Sequence, residues 1–389
     1  MPGANRWIAP ILVVTVFGLL ALGLTMIFSV GAASPAAKGD AFKFVRDQST
    51  AVSLGLVAMV VLACWPYQTF RRFWWVILLA TIGLLWLCFR FDAINGSQRW
   101  IRFGGQNFQP SEMAKLALVI ALAWWYARYP DRAKTFLYGI LIPVLLVVTP
   151  LALVIKQPDV GTTILMVVVT GAVIFIAGAN LIYLGLTGLV AVTAVSVVIQ
   201  NSPQRLSRVM AIFDLEAHKD GVGYQQYQGI IAIGSGGIGG LGLGKSRQKM
   251  LYVPEAHNDF IFTVLGEELG LSFSLGVIFA FCLIAYAGLG IGLRAKDRFG
   301  MILAFGLTLN LVLQAALNFG VTLAVLPNTG ITLPFVSYGG SSVLASLVSI
   351  GILLNIHKQG RAAQDRSPRV VLQARVPSSR AREGRFLRR

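Results

Sequence analysis

The chain alternates between long apolar runs and short polar breaks. Apolar windows of about 17–25 residues, the length a helix needs to cross a bilayer, fall near 8–30, 50–66, 73–89, 111–128, 135–155, 161–179, 181–200, 271–293, 300–326 and 334–356. The pattern predicts an all-α polytopic membrane protein with about ten transmembrane helices. Such an even number puts both termini on one side. Arg71 and Arg72 follow the second span, Arg128, Arg132 and Lys134 the fourth, and Arg294, Lys296 and Arg298 the eighth. Short cytoplasmic loops carry an excess of Lys and Arg, so these loops and both termini are expected in the cytoplasm. The opposite loops mix signs, as where Lys38, Lys43 and Arg46 accompany Asp40 and Asp47.

This orientation puts the large loop, roughly 201–258, on the outer face. It is too rich in glycine and apolar residues for a solvated linker. Short re-entrant or interfacial helices packed on the bundle are expected. The chain divides into a ten-span domain, 1–357, and a basic cytoplasmic tail, 358–389. Ten Lys and Arg residues in that tail face only Asp365 and Glu383. It reads as a disordered segment near anionic membrane lipids, with no nucleic-acid partner.

Composition agrees. Charged residues are 13% of the 389, against about 25% in soluble domains, and mean hydropathy is +0.72. Net charge is +17. Cys64, Cys88 and Cys282 all lie in apolar runs. Their odd number and spacing suggest neither a disulfide framework nor zinc, and no metal site is assigned. The first apolar run is too long for a signal-peptide core.

GGLGLGKS, Gly239 to Ser246, formally fits the phosphate-loop pattern, and Gly234, Gly236 and Gly239 fit GxGxxG. Both patterns require a strand before and a helix after. That context is missing, and ATP is scarce at the outer face, so nucleotide binding is rejected. Two readings stay open. Backbone N–H groups beside Lys245, Ser246, Arg247 and Lys249 could hold an anion such as a pyrophosphate. Alternatively, the stretch is a tight re-entrant turn with its basic residues at the lipid head groups.

Polar residues also converge from other outer segments. Glu112 and Lys115 share one face at the start of the fourth span. Arg99, Trp100 and Arg102 form a basic and aromatic cluster before it. Lys156, Gln157 and Asp159 follow the fifth span, Arg205 and Arg208 enter the large loop, and Ser337, Tyr338, Ser341 and Ser342 precede the last span. Together they point to a cavity open to the outer face. VPEAHNDFIFTVLGEELG adds Glu255, His257, Asp259, Glu267 and Glu268. Asp259 at the bilayer edge suits a proton acceptor, or else an N-cap. His257 reads as its hydrogen-bonding neighbour. The run to Leu293 is too long for one span, so a break near Gly266 or Gly270 is expected. Glu267 and Glu268 could pair with cations from other spans, Lys115 or Lys156 among them, and a structural or coupling role is favoured for them.

QPSEMAKLAL, KQPDVGTT, GYQQYQGIIAIGSGG, GLGKSRQK, VPEAHNDFIFTVLGEELG and LPNTGITLPFVSYGGSS, in this order, resemble the SEDS family (shape, elongation, division, sporulation). GLGKSRQKMLYVPEAHNDFIF and GITLP are more similar to its division-type than to its elongation-type members. Departures fall at Lys245, Asn258, Asn328 and Thr329. The resemblance implies a peptidoglycan glycosyltransferase that polymerises lipid II, with the family's essential outer aspartate at Asp259. It also implies a class B penicillin-binding protein and other division membrane proteins as partners. A divalent cation could accompany the pyrophosphate, without assigned ligands. A lipid II transporter and a non-enzymatic scaffold are the competing readings. Clustering of the polar motifs at one face, without an internal repeat, favours chemistry over translocation.

Overall fold

The computed structural model describes residues 7–33, 40, 42–93, 97–103, 106–248 and 258–374. Long helices stand at every expected span: α1 (Ile8–Ala33), α2 (Lys43–Cys64), α3 (Gln68–Leu87), α4 (Pro110–Arg128), α5 (Ile142–Lys156), α6 (Val160–Ile176), α7 (Leu181–Gln200), and, beyond the large loop, α10 (Ile261–Leu293), α11 (Arg298–Thr322) and α12 (Gly340–Ala374). The loop itself holds α8 (Pro203–Phe213) and α9 (Tyr224–Gly236). A short antiparallel ribbon, β1 (Ile101–Phe103) with β2 (Gln106–Phe108), precedes α4 and pairs Ile101 with Phe108. Among the described residues eight helices are long and apolar enough to cross a membrane, and the chain is a multi-pass membrane protein.

Length and composition explain why α6 and α4 fall outside those eight. The α6 helix has only 17 residues. The α4 helix carries Glu112 and Lys115 but has almost every side chain buried, packed among α3, α5, α6, α11 and α12. It is a central strut and needs no lipid-facing apolar surface. At the other extreme, α7 has no buried residue, and Ile182 and Val190 are exposed along it. Such surface is ordinary where lipid is the solvent. The α2 and α12 helices approach closely, because a Cβ on Gly351 would stand 2.6 Å from the carbonyl of Met59. Small residues permit such contacts between membrane helices.

Helix starts follow local chemistry. Pro110 opens α4 with Glu112 in its first turn, where a carboxylate complements the helix dipole. Asp159 caps α6 through the N–H of Thr162 (3.1 Å), and Asp297 caps α11 through Gly300 (2.7 Å).

Three expected boundaries move. The second span begins at Lys43, so Lys43, Arg46 and Asp47 belong to α2 and not to a loop. The last span begins at Gly340 instead of near 334. Pro334 lacks an N–H, and Phe335 at φ 68° is left-handed, which interrupts helix there. The last helix also runs past Lys358 to Ala374, into the segment expected to be a disordered tail. Helix-favouring Gln, Arg and Ala residues from Gln359 to Gln364 sustain it.

The expected break in α10 is at Gly270, with φ 78° and ψ −175°. An unbroken helix would bond Leu271 N–H to the carbonyl of Glu267 and Ser272 N–H to that of Glu268. Here Leu241 and Gly242 N–H groups take those carbonyls, both at 2.9 Å. Leu271 and Ser272 donate instead to Gly237 (2.9 Å) and Ile238 (3.4 Å). The glycine-rich strap after α9 thus replaces the missing helical turn. Gly240, at φ 77°, lies so near that a Cβ would meet the Glu268 carbonyl at 2.2 Å.

Candidate functional site

A cavity of about 480 Å³ opens where α2, the segment before α4, the tip of α10 and the loop before α12 meet. Asp259 and Asn258 line one wall, and Arg99 and Trp100 another. Asp47 and Tyr338 form a third.

Asp259 sits at the entry to α10. Its side chain does not cap the helix: Phe260 holds the N-cap position, without a side-chain cap bond. Asn318 of α11 donates to the Asp259 carbonyl (2.7 Å) and to the Ile331 carbonyl (2.8 Å). One amide therefore ties the aspartate to the loop opposite. A Cβ on Gly330, at φ 68°, would stand 3.8 Å from Asp259 Oδ2.

Arg99 is held by Asp159 at 3.6 Å, and its guanidinium lies over the Trp100 ring, 5.7 Å from the centroid. Asp159 is 2% exposed, also accepts from Gln109 Nε2 (3.1 Å), and caps α6. The arginine is fixed by a carboxylate that is itself fixed, while its Nε is buried without a hydrogen-bond partner. Such a guanidinium suits a phosphate oxygen.

Tyr338, outside the spans, has its phenol pushed up to about 12, first by burial and then by the charge of Asp47, to which it donates a hydrogen bond. Gln48 accepts from Gly339 N–H (3.1 Å) and donates to the Ser337 carbonyl (3.3 Å), which fastens α2 to the same loop. Beneath the cavity, Lys115 Nζ lies 2.9 Å from Glu112 and donates to Gln314 Oε1 at 2.5 Å. Gln314 Nε2 continues to the Thr332 carbonyl (3.0 Å) and Ser342 Oγ (3.3 Å). Thr332 and Ser342 both line the cavity. The buried ion pair is thus a polar floor, one amide removed from the open space.

A carboxylate and a guanidinium facing one space can take a proton and steady a departing anion. A family model described as Cell cycle protein, spanning FtsW, RodA and SpoVE, matches residues 10–362. The chain belongs to this SEDS family. It is 36% identical over 349 residues to a probable peptidoglycan glycosyltransferase FtsW of Geobacter sp. (strain M18), covering 89% of this chain and 95% of the relative. It is 33% identical over 356 residues to stage V sporulation protein E of Bacillus subtilis (strain 168), covering 90% and 97%. A solved structure described as "Structural coordination of polymerization and crosslinking by a peptidoglycan synthase complex" superposes with a TM-score of 0.74 at 28% identity, covering 90% of this chain and 97% of the other. Thermus thermophilus rod shape determining protein RodA gives 0.66 at 26%, covering 90% and 96%.

The SEDS cavity gathers only part of the residues expected from sequence. Asp259, Arg99, Trp100 and Tyr338 line it, while Glu112 and Lys115 lie beneath. Ser337 is buried behind the wall, accepting from Leu333 N–H (2.8 Å). Lys156 ends α5 exposed, and Arg208 is exposed on α8, where Arg205 donates to the Val198 carbonyl (3.3 Å). Lys245 and Arg247 are exposed side chains of the strap. None of these six lines the cavity. Glu255, His257 and Lys249 lie outside the described residues.

In the glycine-rich segment the anion held by Ser246 and the backbone N–H groups of Arg247 and Gln248 belongs to the chain itself. The Glu267 carboxylate accepts from Ser246 Oγ and from the N–H groups of Arg247 (2.9 Å) and Gln248 (3.4 Å). Glu268 accepts from Ser29 Oγ (2.8 Å) and Ser246 N–H (3.4 Å). Neither forms an ion pair with Lys115 or Lys156, the cations suggested for them: Lys115 is committed to Glu112, and Lys156 is exposed.

Sequence reasoning missed Asp47 and Gln48, because the second span was begun near 50. Asn310, Gln314 and Asn318 also went unnoticed. They recur every four residues within an apolar span and are all buried. Polar side chains at helical spacing inside a membrane span are themselves a signal.

Proposed function

We propose that the chain is a peptidoglycan glycosyltransferase of the division type, polymerising lipid II at the outer face of the cytoplasmic membrane during septal wall synthesis. The observation that carries this reading is the cavity shared by Asp259 and Arg99. Asp259 takes the proton of the acceptor sugar hydroxyl as its oxygen attacks the anomeric carbon of the donor. The bond from that carbon to the lipid pyrophosphate breaks, and Arg99, steadied by Asp159, stabilises the departing anion. A single displacement inverts the anomeric centre. Trp100 offers a face on which a sugar ring can lie, and the Glu112–Lys115–Gln314 floor holds the wall in shape.

Both termini lie in the cytoplasm, in keeping with the basic loops after α2 and α4. The partner is a class B penicillin-binding protein that cross-links the new strand. Asp259 and Asp47, on separate walls of the cavity, are the carboxylates that a divalent cation accompanying the pyrophosphate would meet.

Labelled lipid II, incubated with purified protein and its cognate penicillin-binding partner, tests the reading. The native chain is expected to make polymer, and Asp259→Asn and Asp259→Ala, folded and still binding the partner, to make none. Undiminished polymer from those variants removes Asp259 as the base. A native chain that makes no polymer but moves lipid II between leaflets returns the transporter reading.

A further inference from the structure

The break at Gly270 divides α10 into two helices with separate supports. The outer one, Ile261–Leu269, is about 13 Å long at 1.5 Å per residue. Asp259 lies at one end, while Glu267 and Glu268 lie at the other. Helix continuity does not set its direction, since Gly270 interrupts the hydrogen-bond ladder. The strap does so instead. Leu241 and Gly242 hold the last carbonyls, and Gly236 lies where a Cβ would meet the Gly266 carbonyl at 2.0 Å.

The carboxylates complete the joint. Glu267 and Glu268 are each 1% exposed. Glu267 accepts from one hydroxyl and two backbone N–H groups of the strap, and Glu268 reaches α1 through Ser29. Two carboxylates buried at this depth are costly unless hydrogen-bonded. Among the described residues their donors are backbone and hydroxyl groups of fixed position. That makes the joint a geometric device.

We propose that Glu267 is a positioning residue for the transferase reaction: by clamping the strap, its carboxylate fixes the tilt of the outer half of α10 and thereby the place of Asp259 in the cavity. The proposal rests on the reading of Asp259 given above. A small rotation at the Glu267 end is carried along a rigid helix to its tip. Displacement of a reacting group by about 1 Å can slow an enzyme about 100-fold.

Glu267→Gln tests this directly. The amide cannot accept at both positions, so the Ser246 hydroxyl and Gln248 N–H on one side, or Arg247 N–H on the other, lose their acceptor. With the penicillin-binding partner present, maximal polymerisation is expected to fall about 10- to 100-fold. The half-saturating lipid II concentration should stay within about twofold and the thermal midpoint nearly unchanged. Ser246→Ala should fall less, and the double variant should be no slower than Glu267→Gln alone, as for residues acting in one unit. Additive losses, a raised half-saturating concentration at unchanged maximal rate, or a loss explained by less folded protein would each overturn the proposal.

Hydrogen exchange decides the same point without activity. Amides of residues 260–266 should exchange faster in folded Glu267→Gln than in the native chain. Unchanged exchange overturns the positioning role. If the native chain makes no polymer, the transferase reading fails, while exchange still reports on the joint.

Discussion

Glu112 Oε2 and Lys115 Nζ stand 2.9 Å apart at the start of α4, with 6% and 3% of their residues exposed. Neither charge meets bulk water, so each depends on the other. Removing one partner of a buried pair leaves an uncompensated charge and costs about 3–5 kcal/mol. Lys115→Met is therefore expected to lower the unfolding midpoint in detergent steeply. Glu112→Gln combined with Lys115→Gln should be much milder for stability. Thermal unfolding of the three proteins checks this. A single variant as stable as the native chain would contradict a mutual dependence.

Arg99 lines the cavity, steadied by its ion pair with Asp159. Arg99→Ala should raise the half-saturating lipid II concentration about tenfold, equivalent to about 1.4 kcal/mol of binding. Arg99→Lys should recover only part, because an ammonium cannot reproduce a planar guanidinium lying over Trp100. Steady-state polymerisation at varied lipid II measures both.

Tyr338 bears on alkaline stability. Its folded phenol titrates near 12 and an unfolded one near 10. Between these values the folded state holds the extra proton, so stability falls as pH rises from about 10 to 12 and is intact below 10. Tyr338→Phe should flatten that part of the curve relative to the native chain. Between pH 6 and 9 the two stability profiles should run parallel. Unfolding midpoints across pH 6–12 give the comparison.

Neighbouring glycines of the strap should behave oppositely. Gly240→Ala combines a left-handed φ with a Cβ driven into the Glu268 carbonyl. It should abolish folded yield or activity. Gly239→Ala meets nothing within 4 Å and needs no left-handed backbone, so it should be tolerated. Yield, thermal midpoint and polymer from each variant distinguish them.

Hydropathy made the helices legible, since crossing lipid demands long apolar runs whatever the tertiary packing. It could not reveal that α4 is central and α7 peripheral, because lipid and a protein interior select similar side chains. Charge pattern found the Glu112–Lys115 pair, whose partners are one turn apart. It failed for Glu267 and Glu268, whose acceptors meet backbone N–H groups that leave no mark in composition. Asp259, Arg99, Trp100 and Tyr338 were readable because polar loops converge on one cavity. Asp47 was hidden by a helix start seven residues too late. The strap's exchange of hydrogen bonds at Gly270 was foreshadowed only by its glycines.

The central position of α4 bears on how the protein is made. A segment with Glu112 and Lys115 near its N-terminal end is a poor solitary guest for hydrocarbon; each such charge at a helix centre costs about 2.5–3.5 kcal/mol on insertion scales. Its acceptor Gln314 arrives nearly two hundred residues later, in α11. During synthesis α4 must therefore wait beside α3 or within the insertion machinery, its lysine satisfied by Glu112 alone, until the ninth span emerges. Assembly order is written into that bond: the cavity floor closes only once α11 is in place.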